Sequence, residues 1–156
     1  MAEREHITEL RRAAPSYEAD YAAWLDHQVG LLKADRWSEV DKGNLIDEVE
    51  SLGRSDFRSF VSAFEIVIAH MLKWDFQPKR RSNSWIASIA EHRARISQEL
   101  EDSPSYKARL DEAMSRAWRP ARARASGELD LPLKRLPAKL PYSFEDIMSR
   151  QHELNV

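Results

Sequence analysis

Three polar side chains come closest to a known chemistry. Asp41, Asn44 and Glu48 stand at i, i+3 and i+7, so a helix points all three along one side, with Asp47 and Glu50 flanking them. Oxygen ligands at such spacing can hold Mg²⁺ or Mn²⁺. Recurrent helical carboxylate sites, however, use Glu-x-x-His or paired Glu-x-x-Glu on two helices, and neither is present in full. The plainer reading is a solvated or ion-paired face, and no metal or cofactor is assigned.

His70 and Lys73 form a second candidate. His70 follows Ile66 and Val67 and precedes Trp74, so it borders an apolar helical face, where a histidine can act as a general base or a ligand. More often such a histidine is packed on an aromatic ring and bonded to a carbonyl or carboxylate. Lys73, near a helix C-terminus, also has a simple electrostatic reason for its place. Arg93 occupies a position that the pattern Trp85/Ile86, Ile89, Ile96, Leu100 reserves for an apolar residue. A guanidinium there must be paired, since desolvating it alone costs several kcal/mol. The nearest surplus of carboxylates is Asp47, Glu48 and Glu50, and the expected partner is Glu48. A nucleic-acid surface has its own candidates: Lys79, Arg80, Arg81 and Arg95, then Arg116, Arg119, Arg122 and Arg124, with Trp85 placed to stack a base.

Composition limits what these residues can be part of. The chain has 156 residues, enough for one sizeable core. Hydrophobic residues at 42% and charged residues at 32% describe a globular protein. Four glycines make a turn-rich β-fold hard to build, and the absence of cysteine rules out disulfides and thiolate metal sites. The first twelve residues are charged throughout, unlike a signal peptide, and no apolar run reaches membrane length; the expectation is a soluble, cytoplasmic protein. A net charge of −2 and a pI near 6.2 argue against a typical nucleic-acid binder and against membrane attraction. Charge is nonetheless segregated. Residues 35–56 hold seven acids against three bases, and residues 73–95 hold six bases against two acids, stretches that could face each other.

The elements that must position these groups are helical. Residues 1–15 read as a flexible leader ending at Pro15. Ser16 is placed to cap a first helix with the stripe Tyr17, Tyr21, Trp24, Gln28, Leu31. Ser38 or Asp41 can cap a second, whose stripe Ile46, Val49, Gly53, Phe57, Phe60, Phe64, Val67, Met71, Trp74 keeps steps of 3 or 4 throughout. That unbroken phase predicts one helix over about 41–75, roughly 50 Å long, with Gly53 on the buried face as a point of close helix approach. A third helix begins near Ser82–Ser84. Ser103 and Pro104 open a fourth, with Tyr106, Leu110, Met114 and Trp118 on its stripe and Pro120 to kink or interrupt it. After Gly127, Pro132, Pro137 and Pro141 punctuate Leu131, Leu133, Leu136 and Leu140, an extended strip, and Ser143 caps a short last helix. The expected architecture is all-α: an elongated bundle of about four helices around one long central helix. Its bundle spans 16–127, and a Pro-rich C-terminal arm over 128–156 packs on it.

Several of these segments, in this order, resemble the bacterial domain of unknown function 29 family. They are Tyr17-Glu18-x-Asp20-xxx-Trp24, Asp41-xx-Asn44-Leu45-Ile46-Asp47-Glu48-Val49-Glu50 and His70-Met71-Leu72-Lys73-Trp74-xxx-Pro78, with Ser84-Trp85-xxx-Ile89-xxx-Arg93, Asp102-Ser103-Pro104-Ser105 and Pro141-Tyr142. The resemblance spans about 16–149. Met71 stands where the family usually has Leu, and Asp47 where it tends to Glu. It implies a small all-α bacterial protein and carries over no catalytic residues.

Three function classes follow, in this order. The first is a non-catalytic helical protein–protein interaction module, self-associating or binding another protein through the long helix and the leucine strip 131–140. The second is a nucleic-acid-binding protein using basic residues 79–95 and 116–124. The third is a metal-dependent hydrolase using the acidic cluster with His70. No phosphate loop, nucleophile elbow or cysteine nucleophile supports an enzyme, and the balance leans against one.

Overall fold

A computed structural model describes residues 14–154. Most of the expected leader 1–15 lies outside them. Five α-helices are present: α1 Tyr21–Lys33, α2 Lys42–Phe76, α3 Asn83–Asp102, α4 Leu110–Leu129 and α5 Phe144–Ser149. Short 3₁₀ turns join them, and the described residues contain no strand. The all-α expectation holds, and no described helix is long and apolar enough to cross a membrane. The chain divides into two compact units, one ending at Gly53 and one starting at Arg54.

In the first unit, α1 starts four residues later than its stripe suggested. Ser16 Oγ accepts from the Ala19 amide at 3.2 Å, closing a single turn, and Asp20 then caps the helix by accepting from the Ala23 amide at 3.0 Å. The helix ends at Asp35, whose φ of 57° lets the Arg36 amide reach the Leu31 carbonyl at 3.0 Å. Aspartate is one of the few non-glycine residues that tolerates this left-handed conformation. Trp24, Gln28 and Leu31 are buried, so the one polar member of the stripe lies inside.

The helix α2 runs continuously over 35 residues, within a residue of the span read from its phase. Its burial does not run with it. Phe57, Phe60, Phe64, Val67, Met71 and Trp74 are buried, whereas Ile46, Val49 and Leu52 are more than half exposed. Gly53 is exposed as well, and a Cβ built there would meet nothing within 4 Å. This corrects the expectation that Gly53 lies on a buried face against a neighbouring helix: within the described residues nothing approaches it. Hydrophobic phase fixes where a side chain points, but not whether anything covers it.

The second unit holds the main core. Phenylalanines and aliphatics of α2 join Ile89 and Ile96 of α3, and Ala113, Ala117, Ala121 and Ala125 form an i, i+4 row of small side chains on α4. Pro120 does not interrupt α4, which continues to Leu129. Asp130, at φ 54°, ends it as Asp35 ends α1. The leucine strip is mostly docked: Leu136 is buried, Leu131 and Leu140 are half-buried, and only Leu133 is exposed. Polar ties hold it, with Trp118 Nε1 donating to the Ala138 carbonyl and Arg122 donating to the Leu133 and Leu136 carbonyls. Ser143 and Asp146 then form a reciprocal cap for α5.

Candidate functional site

Asp41, Asn44 and Glu48 belong to the first unit, and their oxygens are spent on local bonds. Asp41 caps α2, accepting from the Asn44 amide at 3.3 Å and from Asn44 Nδ2 at 2.8 Å. It also accepts from Trp24 Nε1 at 3.2 Å, while its own amide donates to Gln28 Oε1 at 2.8 Å. Glu48 accepts from Tyr17 at 2.5 Å and Tyr21 at 2.7 Å. The rings of Tyr17, Tyr21 and Trp24 pack together, with centroids 4.9–6.0 Å apart. The bonds from Tyr17 and Tyr21 hold the Glu48 carboxyl below its usual range, and the same bond drives the Tyr17 phenol up to about 12. Bonds from Asn44 outweigh desolvation and lower Asp41. The arrangement is an aromatic and carboxylate clasp between α1 and α2. Among the described residues no three His, Asp or Glu side chains stand close enough to hold a metal ion.

His70 and Lys73 lie in the second unit. The His70 Nδ1–H donates to the Ile66 carbonyl one turn back at 2.9 Å, which leaves the lone pair on Nε2. Burial chiefly lowers its pKa, with the nearby Lys73 and His92 charges acting in the same direction. Lys73 is nearly sealed from water. Its Nζ donates to Glu128 Oε2 at 2.5 Å and stands 4.7 Å over the Trp85 ring. Burial pushes the Glu128 carboxyl up, but the bond and charge of Lys73 outweigh it and the net shift is downward. Of the packing expected for His70, the bond to a carbonyl is present, whereas the carboxylate and the aromatic ring are contacts of Lys73.

The expected Arg93–Glu48 pair is overturned. Glu48 has its tyrosines, and Arg93 donates from Nε to the Ile147 carbonyl at 2.5 Å and from a terminal nitrogen to the Asp146 carbonyl at 3.2 Å. Half-buried Arg93 therefore satisfies itself on the carbonyls of α5, where a cation also complements the helix dipole. The guanidinium does have partners, but they are backbone oxygens rather than carboxylates.

Sequence reasoning missed a network at the C-terminal end of the second unit. Asp75 takes both terminal nitrogens of Arg150, at 3.0 and 2.5 Å, and the Tyr142 hydroxyl at 2.7 Å. These bonds overcome burial and lower Asp75, and burial with the Asp75 bond raises Tyr142. Buried His152 packs edge-on against Trp74, 5.2 Å between centroids, and burial with the Arg93 and Arg150 charges lowers its pKa. The partners lie 67–75 residues apart in sequence, so no local spacing announces them.

The basic candidates are largely occupied. Arg81 donates to the Trp74 carbonyl at 2.9 Å and covers the Trp74 ring, Arg80 reaches the Glu128 carbonyl at 3.3 Å, and Trp85 is half-buried beneath Lys73. Arg116 pairs with Glu112, Arg124 with Glu65, and Arg95 bonds Ser59. Lys79 and Arg119 are exposed. Three surface clefts include one lined by Lys42, Leu45, Ile46, Val49 and Glu50, and none of the three includes His70, Lys73 or Arg93.

No curated protein and no solved structure resembles the chain closely enough to count as a match. A family model does match, over residues 16–152, and its description is a domain of unknown function, DUF29. With nearly the whole chain covered, from the Tyr17 clasp to His152, the protein belongs to the DUF29 family.

Proposed function

We propose that the chain is a non-catalytic helical interaction module, which presents the first turns of α2 to a helix of a protein partner. One observation carries this reading: Ile46, Val49 and Leu52 are 57%, 62% and 64% exposed within two turns of one helix. Leaving each in water forgoes roughly 1–2 kcal/mol relative to burial. Contiguous apolar surface of this kind marks interaction sites, whereas single exposed leucines mark nothing. Lys42, Leu45 and Glu50 complete the lining of a shallow groove of about 270 Å³ at this place.

The use of the other candidates supports the same reading. The carboxylates of Asp41 and Glu48 and the charge of Lys73 are engaged within the fold, and so are most of the arginines in the basic rows. Of the two surfaces expected to serve an interface, the leucine strip is mostly docked, and the proposal keeps the long helix. A photo-crosslinking residue at position 49, with position 119 on α4 as control, tests it in cells that make the protein. Ultraviolet light is expected to give a specific adduct from position 49 and none from 119. No adduct from position 49 would remove the proposal.

A further inference from the structure

The exposed stretch of α2 has an internal symmetry. Take Val49 as centre. Ile46 and Leu52 lie three residues to either side, Leu45 and Gly53 four, and Lys42 and Asp56 seven. Offsets of 3, 4 and 7 are the positions that fall on one helix face. All are exposed except Leu45, which is half-buried. The face is apolar in the middle, with a cation at one end and an anion at the other. Neither end charge is in an ion pair with a described residue.

Such a face is complementary to itself when two copies run antiparallel. Ile46 then meets the partner's Leu52, Val49 meets the partner's Val49, and Lys42 meets the partner's Asp56, each twice by the two-fold axis. A parallel pairing would instead set Lys42 against the partner's Lys42 and Asp56 against the partner's Asp56. Gly53 gains a reason it lacks within the chain. A glycine in a helix interior weakens the helix, and nothing described approaches it. In the antiparallel pair it faces the partner's Leu45, the larger member of the matching position, and gives that side chain a hollow to enter.

We infer that α2 pairs with the same helix of a second copy, antiparallel about Val49, with Lys42 against the partner's Asp56. This rests on the interaction reading above and names its partner. The interface is small, so the dimer is a dynamic, concentration-dependent one.

Sedimentation velocity of the full chain over a concentration series tests it. The wild type is expected to move from monomer to dimer as concentration rises. Val49→Asp, at an exposed position, should weaken the dimer about 100-fold while the thermal melt stays that of a folded helical protein. Lys42→Asp and Asp56→Lys should each weaken it about five- to tenfold, and the double swap should restore it. Gly53→Leu should also dissociate it. A wild type that stays monomeric, a dimer indifferent to Val49→Asp, or a double swap no tighter than the single changes would each overturn the inference. An adduct from position 49 to a different protein, with a monomeric wild type, would overturn self-pairing and leave the interaction module standing.

Discussion

The pair Lys73–Glu128 is unevenly buried, and that asymmetry predicts which partner matters. The Lys73 side chain is 8% exposed and the Glu128 side chain 43%, with nitrogen and oxygen 2.5 Å apart. Glu128→Gln leaves an ammonium almost out of water without its counter-charge. Breaking a fully buried pair this way costs about 3–5 kcal/mol. Here the Trp85 ring face still stabilises the cation by roughly 0.5–2 kcal/mol, and water can reach the vacated side, so about 1.5–3 kcal/mol is expected. Lys73→Met is the milder change. The thioether fills the space of the lysine stem, and Glu128 rehydrates, so about 0–1 kcal/mol is expected. Urea unfolding at neutral pH, read by far-ultraviolet circular dichroism with a constant m-value, measures both. In the double variant the glutamine no longer strands a charge, so its stability should lie near that of Lys73→Met, with a coupling close in size to the full cost of Glu128→Gln. Lys73→Met costing as much as Glu128→Gln would refute the argument from burial.

Stability should also respond to pH in two stages. His70 and His152 are held below the ordinary 6.5 by burial, so the unfolded chain binds their protons first and stability falls as pH drops below about 6.5; urea midpoints across that range check it, and His70→Asn should flatten the slope. Glu128 and Asp75 lie below their ordinary values, so the stability they contribute is present above about pH 4.5 and is lost as pH falls further, which Asp75→Asn should reduce. Arg93→Ala removes two charge-assisted bonds to the α5 carbonyls and should cost about 1–2 kcal/mol, with faster amide exchange across Phe144–Ser149; unchanged exchange there would contradict the capping role. Gly53→Ala, with open space around the new Cβ, should raise the unfolding free energy of the dilute protein by about 0.5–1 kcal/mol, measured in urea; a loss of stability would mean that something packs closer to Gly53.

Local rules carried the fold because its elements are set by local physics. The phase of α2, the proline after it and Ser143 before an acidic turn each act within a few residues, and those elements appear where the signals stand; Ser103 and Pro104 instead open a 3₁₀ turn over Pro104–Arg109, and α4 begins only at Leu110. The candidate site was less legible. Arg93 was placed correctly on a half-buried helix face, but its partners are carbonyls 53 and 54 residues away, and every residue carries a carbonyl, so sequence gives no means of choosing among them. Glu128 was invisible as the mate of Lys73 because its carboxylate lies 55 residues away, beyond any local spacing. The tyrosines that occupy Glu48 were legible as a stripe, yet their hydroxyls were not weighed against an arginine for the carboxylate.

Gly53 marks where these two kinds of legibility part. The apolar phase of α2 passes through it without a slip, because phase is a property of the helix alone. Burial requires a second surface, and before Gly53 the described residues provide none for Ile46, Val49 and Leu52. A stripe that served only the core would have no physical need to continue in phase beyond the residues that are covered, since exposed positions are indifferent to register and favour polar side chains. Continuation in register therefore points to a covering surface beyond the described residues, and the matched offsets about Val49 make the same helix of another copy the simplest one available.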